Sequence, residues 1–172
     1  MPNILEQTAA KAAGKVGALQ AAMSGLDGVF RQLAEEHKEV ASLLPSATLT
    51  SDPQKRAELW DKIRQDLTAH EHAELEVVYP EFEMHASLMD IVSQHEAEAD
   101  HLEALISNVD AAPTDSAQWE TSIKHLQAAV LRHASREENE FFPRAQELIG
   151  ERRAKELREL YLASKESVLQ GV

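Results

Sequence analysis

One eleven-residue pattern occurs twice in this chain. His70-Glu71-His72-Ala73-Glu74-Leu75-Glu76-Val77-Val78-Tyr79-Pro80 is echoed 63 residues later by His133-Ala134-Ser135-Arg136-Glu137-Glu138-Asn139-Glu140-Phe141-Phe142-Pro143. Each copy starts on His, carries Glu four residues on, and closes on an aromatic residue followed by Pro. Side chains four residues apart share one helix face, one turn from each other. A His and a carboxylate held that way can grip one metal ion, or the carboxylate can bridge two. Two copies point to a site assembled from related halves.

The apolar periodicity around these copies is helical throughout. Leu26, Phe30, Leu33, Val40 and Leu44 form a stripe in steps of three and four, and His37 occupies the gap in it. Pro45 is expected to end that helix, leaving PSATLTSD as a loop. A second helix starts at Ser51 or Asp52 as N-cap with Pro53 in its first turn. Its stripe runs Trp60, Ile63, Leu67, His70, Glu74, Val77 and Val78, and Pro80 should end or kink it. The third reads Leu88, Ile91, His95, Glu98, Leu102, Leu105 and Val109. The fourth reads Trp119, Ile123, Leu126, Val130, His133, Glu137 and Phe141 before Pro143. Gly150 then separates a last, highly charged helix over 151–169, and an Ala-rich stretch over 3–23 reads as a weak helical appendage. The fold class that follows is all-α: one domain over 1–172, built as an antiparallel four-helix up-down bundle over about 26–149, with additional N- and C-terminal helices. Each half carries a lone stripe His, followed one helix later by the repeated pattern, so the bundle has a pseudo-two-fold design.

Four His on four apolar stripes, and two Glu each one turn beyond a His, do not belong in an ordinary core. A buried unpaired carboxylate costs several kcal/mol. Six such groups are incompatible with a domain stability of about 5–15 kcal/mol unless opposite charge joins them. Metal cations supply that charge. Imidazole and carboxylate without sulfur suit iron, manganese, zinc or copper, and suit calcium or magnesium poorly. The chain has no Cys, which excludes disulfides, thiolate metal sites and Cys nucleophiles. Its net charge of −13 argues against nucleic acid and anionic membranes as partners. No apolar run approaches a membrane span, and no signal peptide is evident, so a cytoplasmic protein is expected.

The ordered set His37, His70 with Glu74, His95, and His133 with Glu137, closed by Tyr79-Pro80 and Phe142-Pro143, resembles the hemerythrin-like, or HHE cation-binding, domain family over about residues 26–149. The resemblance implies a four-helix bundle around two iron ions, an oxo- or hydroxo-bridged di-iron centre. His37, His70, His95 and His133 would be terminal ligands, with Glu74 and Glu137 as bridges. The family's oxygen carriers have a second His four residues after the helix-three His, where this chain has Ala99. They also place the helix-four carboxylate five residues after its His, which would be Glu138; the internal repeat favours Glu137. Glu98 reads either as a further carboxylate ligand or as a boundary residue. Glu71 can reach a metal in some members, although solvent exposure is the expectation here.

The implied partner is a small diatomic molecule or peroxide: O2, NO or hydrogen peroxide, with an electron-donor protein if turnover is reductive. Simple binding, peroxide or NO reactivity, redox sensing and, less favoured, iron storage are the functions this allows. His72, His85, His101 and His125 fall off the stripes and are expected at the surface. Trp60 and Trp119 are expected to pack in the core. Tyr79 and Phe142 should cap the bundle end, a redox role for Tyr79 being the alternative.

Overall fold

The computed structural model describes residues 25–171, so the appendage expected over 3–23 lies outside the described residues. Five long helices make the body: α1 (Gly28–Leu49), α2 (Pro53–Ala73), α4 (Met89–Asp110), α5 (Ala117–Arg136) and α7 (Glu151–Gln170). Short helices α3 (Tyr79–Glu83) and α6 (Phe142–Ile149) continue α2 and α5 beyond the two repeated motifs. Among the described residues there is no strand, and no helix is long and apolar enough to cross a membrane.

Two apolar clusters explain the up-down order. One gathers Phe30 and Leu33 of α1 with Val78, Phe82, Ile91, Phe141 and Phe142. The other gathers Val40 and Leu44 with Trp60, Ile63, Leu102, Trp119 and Ile123. α1, α2 and α4 each feed both clusters, while α5 feeds the second and the turn and short helix that continue it feed the first. In each of the four the stripe His falls between the two contributions. Since α1 and α4 run from the first cluster to the second, α2 and α5 must run back. Each fully buried Leu, Ile or Phe contributes roughly 1.5–3 kcal/mol, and that double layer carries the polar level between. Trp60 and Trp119 sit in the second cluster, 5% and 0% exposed, as packing residues.

Local chemistry fixes the helix ends. The Asp52 carboxylate accepts from the Gln54 and Lys55 amides at 3.0 and 3.4 Å, with Pro53 at the first helical position. The Ser116 hydroxyl accepts from Trp119 N–H at 3.1 Å. Gly28 is needed for closeness as well as conformation: its φ is +54°, and a Cβ there would lie 2.3 Å from the Ala154 carbonyl carbon of α7.

Proline corrects the expected boundary at Pro45 and decides the alternative left open at Pro80. Pro45 does not end α1, which continues to Leu49. The lost amide donor is outweighed by burying Ala47 in the second cluster, and Thr48 Oγ1 donates to the Pro45 carbonyl at 2.9 Å. Pro80 and Pro143 end nothing either. Each lies near the start of a short helix that follows a wide π-turn. The last helix is a fifth member of the body: α7 packs along α1 and α2 and buries Ala154, Leu157 and Tyr161.

Candidate metal centre

The two π-turns span Glu74–Val78 and Glu137–Phe141, so each begins on the carboxylate of a repeated motif. Tyr79 N–H donates to the Glu74 carbonyl, and Phe142 N–H to that of Glu137, a five-residue reach in place of four. The next residue in each case is Pro, which has no amide to donate, so the α-type register cannot be restored there. The extra residue in the turn re-aims the face that follows. Val78, Tyr79 and Phe82 point inward after Glu74, and Phe141, Phe142 and Ala145 after Glu137. Such turns concentrate at functional sites.

All four stripe imidazoles point into the middle level: His37, His70, His95 and His133 are 5%, 4%, 0% and 4% exposed. Glu74 and Glu137 join them, both fully buried. The donor atoms fall into two groups able to hold a metal ion, one of His37, His70 and Glu137, the other of Glu71, Glu74, His95 and His133. Glu137 reaches both groups. Its Oε2 is 3.2 Å from His37 Nε2 and 3.4 Å from His133 Nε2, and its Oε1 is 3.3 Å from His95 Nδ1. Glu74 does likewise, with Oε2 3.4 Å from His70 Nε2. Two donors about 2.1 Å from a shared cation, at octahedral or tetrahedral angles, stand about 3.0–3.4 Å apart. These separations match that spacing, and the pairs lack hydrogen-bond geometry. His37 Nε2, His70 Nε2, His133 Nε2, both nitrogens of His95, both oxygens of Glu71 and Glu74, and Glu137 Oε2 are all buried without a hydrogen-bond partner. Buried polar atoms are rarely left so, and a cation's coordination shell is what these ones fit.

Behind the donors stand carboxylates that turn the imidazoles. His37 Nδ1–H donates to Glu138 at 2.8 Å, His70 Nδ1–H to Glu36 at 3.0 Å, and His133 Nδ1–H to Glu98 at 3.1 Å. Each bond holds Nε2 toward the centre, as metal-ligating histidines require. Glu98 is in turn held by Arg136, which also donates to Gln94 at 2.7 Å. Glu98 and Glu138 therefore lie behind imidazoles and outside both donor groups. His95 has no such backing; the Tyr79 ring lies over it instead, centroids 3.5 Å apart and planes 14° apart. Tyr79 O–H donates to Glu137 Oε1 at 2.5 Å, so its place is at the centre itself, beyond the bundle-end packing expected of it.

Glu71 corrects the expectation of solvent exposure. Both of its carboxylate oxygens are buried, 3.3 Å from His133 Nε2 and 3.8 Å from His95 Nε2. The small side chain of Ala99 leaves space on α4 beside it, where a cleft of about 370 Å³ opens between α2 and α4. His72, His101 and His125 are exposed and His85 half-buried, away from the centre. Glu36, Tyr161 and Lys165 were not singled out from sequence. The available signal for Glu36 was an acid adjoining a stripe His.

The electrostatics favour positive charge. Burial disfavours the His70 imidazolium, but the Glu74 charge and hydrogen bonds to Glu36 and Glu74 outweigh it, holding the group up to about 10. Burial is likewise outweighed at His133 by Glu137 and Glu71, at His95 by Glu137 and Glu74, and at His37 by Glu137 and Glu138; all three are raised. Burial opposes the Glu137 carboxylate, yet His133, His37 and His95 hold it well below the usual range. A site that binds protons this firmly has a field suited to cations.

Comparison with known proteins agrees with this geometry. A DNA nickase of Nostoc sp. (strain PCC 7120) is 27% identical over 107 residues, 62% of this chain and 30% of the relative's length. The chain thus covers under a third of that relative. No solved structure matches. The hemerythrin HHE cation-binding domain family matches residues 28–145, from the start of α1 into α6 and across every donor described above. This chain belongs to the hemerythrin HHE cation-binding domain family.

Proposed function

We propose that His37, His70, His95, His133, Glu71, Glu74 and Glu137 hold two iron ions, with Glu74 and Glu137 shared between them. The observation that carries this reading is the set of buried, partnerless donor atoms divided between two adjoining groups. An iron pair held there would supply redox chemistry toward O2, peroxide or NO. The chain's own residues do the rest. Glu36, Glu98 and Glu138 orient three imidazoles, Tyr79 donates to the shared Glu137, and the two apolar clusters exclude bulk water from above and below. The His37, His70 and Glu137 group has one residue fewer than its neighbour, so it is the side on which a small ligand finds an open position. An electron-donor protein is the partner that reductive turnover would call for.

Anaerobic loading with ferrous iron followed by metal analysis and visible spectroscopy tests this. The expected result is two irons per chain and, after oxidation, an absorption that changes with peroxide and is lost in His70→Ala and Glu74→Ala. A colourless protein holding under one iron per chain would sink the proposal. Storage predicts uptake continuing well past two ions, and the donors gathered here account for a pair only. The nickase activity of the Nostoc relative is not carried over, because a net charge of −13 repels a nucleic-acid backbone. A sensing role is favoured by one further observation, the contact of α7 with the support of His70.

A further inference from the structure

The match to the family ends at residue 145, before α7 begins. Yet α7 sends two side chains to the back of a donor. Tyr161, fully buried, donates its hydroxyl proton to Glu36 Oε2 at 2.7 Å and lies 3.1 Å from His70 Nδ1. Lys165, one turn further along the same face, places Nζ 2.6 Å from the same Glu36 oxygen. Gln32 Nε2 holds the other oxygen at 2.9 Å. Glu36 is thereby tied at both oxygens, and His70 is the metal-facing group it supports. The other two supporting acids differ: Glu98 is held from α5 by Arg136, and Glu138 has one oxygen without a partner.

We propose that Tyr161 and Lys165 are positioning residues for the cation site, acting through Glu36 to fix the ring orientation and Nδ1–H tautomer of His70. The fifth helix is then part of the metal centre. Occupancy of the His37, His70 and Glu137 group and the contact of Tyr161 and Lys165 with Glu36 are linked: whatever breaks that contact weakens the site, and loading the site strengthens the contact. This rests on the two-cation reading above. The chemistry is direct. Nε2 is a ligand only when its lone pair faces the ion, and that requires the proton to stay on Nδ1, where Glu36 accepts it. Without the tyrosine hydroxyl and the ammonium, Glu36 is free to swing and the ring to turn. Loss of such an outer partner typically costs 10–100-fold in metal affinity.

The test is stepwise anaerobic titration of the full chain with cobalt(II), a spectroscopic stand-in for ferrous iron, against a competing chelator. Tyr161→Phe and Lys165→Met each remove one polar group and keep the helix face. Each should weaken one of the two binding steps about 10–100-fold and leave the other within about twofold. Leu157→Ala, on the same buried face but away from Glu36, should lower the melting temperature and leave both steps in place. Limited proteolysis of α7 should slow on cobalt loading in the wild type and slow less in Tyr161→Phe. Unchanged steps in both polar variants, or an equal loss at both steps matched by Leu157→Ala, would overturn the inference. A wild-type chain taking up one cobalt sinks the two-cation reading alone. The inference then stands or falls on whether Tyr161→Phe weakens that single step.

Discussion

At the scale of single residues, the hydroxyl of Tyr79 and the carboxylate of Glu137 form the shortest link between a neutral side chain and the centre. Burial and the charges of Glu137 and Glu74 push the phenol well above its ordinary range, so it stays protonated and donates. A hydrogen bond to a charged group contributes about 1.5–3 kcal/mol. Tyr79→Phe keeps the ring on His95 and removes only the donor. The metal-free protein should therefore lose about 1.5–3 kcal/mol of unfolding free energy, read as a lower urea midpoint at unchanged slope. A loss under about 0.5 kcal/mol would leave the hydroxyl without an energetic role. Tyr79 also shows where sequence reasoning stops. The repeat and the stripes point to six of the seven residues gathered at the centre, because helical spacing sets His70 with Glu74 and His133 with Glu137 one turn apart and places His37 and His95 on apolar faces. Glu71 entered only through the family resemblance, with solvent exposure expected, since beside His70 it falls off the apolar stripe; in the fold it is buried and lines a cleft together with Ala99 of another helix. Facing helices decide such a contact, and periodicity within one helix cannot report it.

At the scale of elements, the five helices and the ends of the third and the last are legible in the sequence, and the stops beside proline are not. Pro45 reads as a terminator in the sequence, and Pro80 as a terminator or a kink. In each the chain stays helical, because apolar burial beyond the proline outweighs one missing hydrogen bond. The two π-turns follow the same logic: they widen the helix where the buried carboxylates of Glu74 and Glu137 enter the centre. The contact of α1 with α7 was also invisible, since it depends on a glycine meeting the backbone of a helix more than a hundred residues away. Gly28→Ala tests that contact. The added methyl would meet the Ala154 carbonyl carbon at 2.3 Å and the Lys155 amide nitrogen at 2.6 Å, neither of which can turn aside as a side chain could. Its φ of +54° adds strain for any residue with a Cβ. Overpacking and backbone strain each cost about 1–3 kcal/mol. The variant should lose about 2–4 kcal/mol of stability by denaturant titration, with α7 becoming the first segment cut by protease. An unchanged midpoint would mean that α7 rides loosely on α1.

At the scale of the whole molecule, the centre links stability, cations and pH. Folded His70 keeps its proton up to about 10, against 6.5 ordinarily. A group raised on folding stabilises the fold fully below its unfolded value, and that contribution fades as pH climbs toward the folded one. The metal-free protein should therefore weaken between about pH 6.5 and 10 on account of His70, with His37, His95 and His133 shifted the same way. Cation uptake runs opposite. A ligating nitrogen must first give up its proton, so affinity rises with pH by up to roughly tenfold per unit for each proton expelled. Both effects widen the gap between cation-loaded and metal-free protein as pH rises. Melting temperatures with and without cobalt(II), taken at about pH 6.5, 7.5 and 8.5, should show that gap growing at each step. In weak buffer, loading at about pH 7 should release protons, since the imidazoles hold them there. A gap that stays flat or narrows, or loading without proton release, would mean that these four imidazoles are not what the cation binds. The acidic balance of the chain would then be an ordinary solvated surface around a polar but metal-indifferent core.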